Sequence, residues 1–95
     1  MATSIIAYVG TRTNGVWSDT DFNNITLAYK QELWLINNAS ASYSNAPTGF
    51  SGRGAIVGIQ PVDNVFLIMV YDGAYGKAWL RCKWWTSWNN WAELT

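Results

Sequence analysis

Trp79, Arg81, Trp84, Trp85, Trp88 and Trp91 share one short run of this 95-residue chain, five of its seven tryptophans among them. Indole rings, a guanidinium and neighbouring amides bind other groups; they do not react with them. The C–H faces of a sugar stack on Trp and Tyr, while its hydroxyls pair with Asn, Asp and Arg. The same rings also suit a core or a subunit interface, since each Trp brings ~150–250 Å² of surface.

Reactive chemistry is harder to assemble. The chain has no histidine, which removes Ser-His-Asp and Cys-His arrangements and the commonest metal ligand. Cys82 stands alone among apolar neighbours and reads as a small buried hydrophobe. Gly52-Arg53-Gly54 resembles the opening of a dinucleotide fingerprint, but Val57 occupies the third glycine position and a strand follows. Asp19-Thr20-Asp21-Phe22-Asn23-Asn24 matches half a calcium loop, yet Asn24 replaces the glycine and Lys30 the closing acid. Turn and capping chemistry explains that run. The carboxylates are Asp19, Asp21, Glu32, Asp63, Asp72 and Glu93, and no local motif pairs two of them as a glycosidase requires. The sequons at Asn24 and Asn38 arise by chance in a bacterial or viral source. No enzyme activity, metal or cofactor is expected.

Composition narrows the partners. Charged residues make up 13% of the chain, half the usual ~25%, while 49% are hydrophobic and 16% aromatic. Sparse charge with dense aromatics fits a small domain that hides surface against copies of itself. Six basic and six acidic residues cancel, so no basic stripe invites nucleic acid. No apolar run approaches the roughly 18 residues of a membrane helix, and no charged segment of a signal peptide opens the chain.

The elements that must position these groups read as strands. Residues 4–9 form a short β-branched strand and 10–15 a turn. Residues 17–25 are polar with three apolar anchors, and Ser18 or Asp19 caps a single helical turn there. Strands follow at 32–37 and 54–60, the second with glycines that suggest close backbone approach or a bulge. Between them, residues 38–53 form a long irregular loop of the kind that is functional or disordered. Seven apolar residues, Val65 to Tyr71, predict a central strand covered on both faces. A turn at 72–77 leads into a strand whose Ala78, Leu80, Cys82 and Trp84 read as core, with Trp79, Arg81, Lys83 and Trp85 outward. No 3.6-residue period is sustained. The expected fold is all-β: a small antiparallel β-sandwich or twisted sheet with at most short helical turns.

One ordered set of residues carries a resemblance. Asp21-Phe22-Asn23-Asn24-Ile25, Asn45-Ala46-Pro47, Trp79-Leu80-Arg81 and Trp88-Asn89-Asn90-Trp91-Ala92-Glu93-Leu94 resemble the C-terminal knob of R-type pyocin tail fibres and related phage tail-fibre receptor-binding domains. The resemblance spans residues 17 to 94. It implies a homotrimeric knob at 17–95 on the distal tip of a virion or tailocin fibre, with residues 1–16 as shaft end or connecting segment. It implies attachment to bacterial cell-surface glycan outside the cell, without catalysis. Asp21, Asn23, Pro47, Arg81, Trp88 and Trp91 are then fold residues. The chain departs from the pattern at the Trp84-Trp85 doublet and in the apolar stretch Leu33-Trp34-Leu35-Ile36.

A ligand site needs exposed rings and convergent polar groups on a fixed backbone. Two stretches offer these: Tyr43, Asn45 and Arg53 in the long loop, and Asp72, Tyr75 and Lys77 in the turn. The face bearing Trp79 and Trp85 ranks next. The competing expectations are a trimerisation cap without a ligand, a fibre-borne glycan hydrolase and a free lectin.

Overall fold

The computed structural model describes residues 11–94. The strand expected at 4–9 lies outside them. Seven strands form one mixed sheet: β1 Thr11–Val16, β2 Gln31–Asn37, β3 Arg53–Val62, β4 Val65–Asp72, β5 Lys77–Trp84, β6 Ser87–Trp88 and β7 Ala92–Glu93. A single 3₁₀ turn, Phe22–Asn24, is the only helical element described. The protein is all-β.

Strands β2 to β5 form an antiparallel meander in register, with Trp34 opposite Ile56, Ile56 opposite Val70, and Val70 opposite Trp79. Their hairpins turn where the sequence places small and polar residues. Asn64 closes the β3–β4 turn at φ 64 and Gly76 the β4–β5 turn at φ 64. β6 and β7 dock in tandem along the outer edge of β5, opposite Lys83–Trp84 and Trp79–Leu80 respectively.

Three sequence expectations change here. Residues 11–16, expected as turn and connecting segment, form β1 and pair with β2. That pairing is parallel, so the sheet is mixed rather than antiparallel. Parallel neighbours need a long crossover, and residues 17–30 supply it by crossing one face of the sheet. The 3₁₀ turn is capped by Asp21, whose side chain accepts from Asn23 N, rather than by Ser18 or Asp19.

The core lies between that crossover and one sheet face. Phe22, Ile25 and Leu27 come from the crossover; Ile36, Ile56, Phe66, Ile68, Val70 and Trp79 come from the sheet. Phe22 is its hub, with edge-on contacts to Trp17, Tyr43, Phe50 and Trp91 at 4.9–5.9 Å between centroids. Gly58 makes the approach possible. A Cβ there would fall 2.6 Å from a Leu27 methyl, so the glycine admits Leu27 against the sheet.

The second face inverts the expectation for β5. Trp79 and Arg81 are 4% and 5% exposed, and they point into the core. Trp84, expected inside, is 66% exposed. Leu80 and Cys82, on Trp84's face, are only half-buried. Leu33, Leu35, Ala55, Val57, Ile59, Leu67, Met69 and Tyr71 share that second face with them, and all are half-buried or exposed. The run Val65 to Tyr71 is therefore covered on one side only by the described residues. The physical reason is partner supply: the loops and the C-terminal segment all fold over the first face.

Candidate functional site

The long loop and the 72–77 turn meet at one end of the sheet, within a single chain. The joint is Asp72, only 2% exposed. Its carboxylate accepts from Ser51 N and Ser51 Oγ, both at 2.8 Å, and from Ala74 N and Tyr75 N at 2.9 and 3.0 Å. Burial pushes its pKa up, but the Ser51, Tyr75 and Ala74 donors outweigh burial, and the net pKa falls below the ordinary carboxylate value. Asp72 holds the loop to the turn and presents nothing to a ligand.

Two more of the expected site residues serve the fold in the same way. Tyr43 donates its hydroxyl to Asn38 O at 2.9 Å and packs its ring on Phe22 and Phe50; burial raises its pKa. Asn45 takes a left-handed φ of 55. Its Nδ2 donates to Asp21 Oδ1 at 2.8 Å, and its carbonyl accepts from Trp91 Nε1 at 2.9 Å. Arg53, Tyr75 and Lys77 do lie at the surface, Tyr75 at 65% exposure. Lys77 Nζ stands 3.5 Å from Glu93 Oε1.

Arg81 is locked inside. Its guanidinium carbon lies 4.0 Å from the Trp88 ring centroid and 4.4 Å from that of Trp91. It donates to Phe22 O at 2.7 Å and to Asn23 Oδ1 at 2.9 Å. Desolvation lowers its pKa to about 10, with the Asp21 charge opposing that shift. Nε finds no acceptor among the described residues. Asp21, Asn23, Asn45, Arg81, Trp88 and Trp91 thus form one continuous network joining crossover, loop and C-terminal segment. Trp79 and Trp85, the reserve candidates, lie apart: Trp79 is in the core, while Trp85 is exposed in the β5–β6 turn at φ 59.

A concave site exists elsewhere. A cleft of about 170 Å³ opens where the crossover leaves β1, lined by Trp17, Ser18, Asp19, Asn24, Ile25, Thr26 and Trp34. Trp17 is held by its backbone N–H donating to Leu35 O at 2.7 Å and by its ring's edge contact with Phe22. Trp34 stands on β2 beside Gly15 of β1, which carries no side chain to cover it. Asp19 folds the rim. Its Oδ1 accepts from Thr20 N at 2.7 Å and Asp21 N at 2.9 Å, and Asn24 Nδ2 lies 3.2 Å from Oδ2. Two indoles, a carboxylate, an amide and two hydroxyl residues on a fixed backbone can stack one sugar ring and bind its hydroxyls.

Sequence reasoning did not assemble this cleft. Asp19 and Asn24 stand out in the sequence as half a calcium loop, and Trp34 as part of an unusually apolar stretch. The parallel β1–β2 pairing that brings Trp34 to Trp17 has no local signature. Among the described residues no three His, Cys, Asp or Glu side chains converge on a metal position. No protein-family model, curated protein or solved structure matches the chain.

Proposed function

We propose that this chain is the receptor-binding tip domain of a phage or tailocin tail fibre, attaching without catalysis to glycan on the bacterial surface. The observation that carries the reading is the cleft between Trp17 and Trp34. Its mixture of indoles, amide, carboxylate and hydroxyls is the donor set a saccharide needs, on a backbone pinned by the Phe22 cluster. The resemblance of residues 17 to 94 to pyocin-type knobs supports the same reading. Each cleft is small and shallow, so attachment relies on several acting together, which raises avidity by ~10²–10⁴.

The bare sheet face supports a homotrimer. It carries no charged side chain between Arg53 at one end and Trp84 at the other, so copies meet there without like-charge repulsion. Trp84 and Tyr71, 66% and 45% exposed, and the half-exposed aliphatics beside them leave a contiguous apolar surface of the kind that marks an interaction face. Burial against two neighbours removes that exposure. The same face favours a second reading, a trimerisation cap with no ligand.

A glycan array probed with the assembled protein and with Trp17→Ala separates these. Specific binding that Trp17→Ala loses, in a protein that still folds and assembles as the parent does, supports attachment. A trimer that binds no glycan and no host cell would leave the cap.

A further inference from the structure

We propose that the cleft between Trp17 and Trp34 selects a protonated amine, so that its saccharide is an amino sugar with a free, unacetylated nitrogen. This rests on the saccharide reading above and names the class of sugar.

The lining residues carry one full charge, that of Asp19, and include neither Lys nor Arg. The Asp21 N–H, with Asn24 Nδ2 and Thr20 N–H, holds the Asp19 carboxyl below its ordinary value against a smaller opposing desolvation. It is therefore an anion at neutral pH. These donors converge on Oδ1; Oδ2 takes only the Asn24 contact at 3.2 Å among the described residues. A carboxylate oxygen accepts more than one donor, so Oδ2 retains capacity. Asp21, two residues on, turns its Oδ1 to Asn23 N and Asn45 Nδ2 and belongs to the Arg81 network.

Both walls point to the same ligand. The face of an indole carries the negative end of the ring quadrupole, and Trp is the best cation–π partner. Two such rings beside one unneutralised carboxylate favour an ammonium group and disfavour an acidic sugar. A neutral sugar can use Asp19 only as a hydroxyl acceptor, whereas an ammonium also gains the charge pairing and the ring faces. Size agrees: about 170 Å³ is below the ~300–1,000 Å³ of drug-sized sites.

The test is titration of the 95-residue chain with glucosamine, N-acetylglucosamine and glucuronate at about pH 6, where an amine of this kind keeps its proton. Binding is read by calorimetry and by the indole Nε1–H resonances of Trp17 and Trp34. The expected result is glucosamine binding roughly tenfold or more tighter than its N-acetyl form. Both indole resonances should move, and Asp19→Asn should erase the preference. Equal binding of the two, or tighter binding of the N-acetyl form, overturns amine selection and leaves the saccharide reading standing. If none of the three sugars binds, and Trp17→Ala leaves host-cell adsorption unchanged, the cleft is not the attachment site and both readings of it fall. The wild-type comparison decides the matter even if Asp19→Asn fails to fold.

Discussion

Trp91 donates its indole N–H to the backbone carbonyl of Asn45, 2.9 Å away and 46 residues earlier in the chain. One side chain thereby fastens the C-terminal segment to the long loop, while its ring covers Arg81. Trp91→Ala should cost about 3–5 kcal/mol. Trp91→Phe, which keeps a ring and loses the donor, should cost about 1–2 kcal/mol. Urea unfolding followed by tryptophan fluorescence checks both, and a Trp91→Phe protein as stable as the parent would show that the hydrogen bond contributes nothing.

Arg81→Lys should be strongly destabilising despite the retained charge. The guanidinium sits 4.0 and 4.4 Å from two indole centroids and reaches two acceptors through a rigid fork, whereas an ammonium is a compact point charge without that plane or fork. The expected loss is about 2–4 kcal/mol, from stacking and one charge-assisted hydrogen bond. Glycan binding by the protein that remains folded should be unchanged. Unchanged melting with lost adsorption would make Arg81 a ligand contact.

Asp72 makes stability depend on acid. Its folded pKa lies below the ordinary value of 3.8, so its contribution is fully present above 3.8. It is lost as pH falls from there through the lower folded value. Asp72→Asn should flatten that part of the stability-against-pH curve and lower stability at neutral pH by about 1.5–3 kcal/mol. Denaturant melts at a series of pH values measure both effects.

The two tyrosines once grouped as site residues should part company. Tyr43→Ala removes a ring packed on Phe22 and Phe50 and should lower the melting temperature by several degrees, in keeping with a loss of about 2–3 kcal/mol. Tyr75→Ala removes a ring at 65% exposure and should melt with the parent. Host-cell adsorption by Tyr75→Ala, set beside Trp17→Ala, tells whether the Arg53–Tyr75–Lys77 end of the sheet adds to attachment.

Leu67→Lys places a charge in the middle of the bare face. The parent should sediment at three times the chain mass, and the variant as a monomer with its cleft intact. A monomeric parent at micromolar concentration would remove the trimer.

Much of this architecture was legible in the residues. Strands β2 to β5 follow from their apolar runs, and the glycines of β3 do mark close approach. Gly54, like Gly58, leaves no room for a Cβ, here against Tyr71 O. β1 was not legible, because Thr-Arg-Thr-Asn-Gly-Val has the composition of a turn and becomes a strand through its pairing with β2. The facing of β5 was misread for a related reason. Aliphatic residues were assigned inward and the cation outward, yet the acceptors that make Arg81 tolerable inside lie 58 and 59 residues away. Alternation locates two faces; distant partners decide which one the chain covers itself. The cleft depends on the same long-range pairing, so its members were visible singly but not as a set.

Trp88 and Trp91 are synthesised after everything they touch. The β2–β5 meander comes before them in the chain, and it alone gives Arg81 no indole to lie against. Only when residues 85–94 leave the ribosome can the two indoles close over it and Asn45 receive its donor. A chain lacking residues 85–94 would leave Arg81 without its two indoles and the aromatic cluster open.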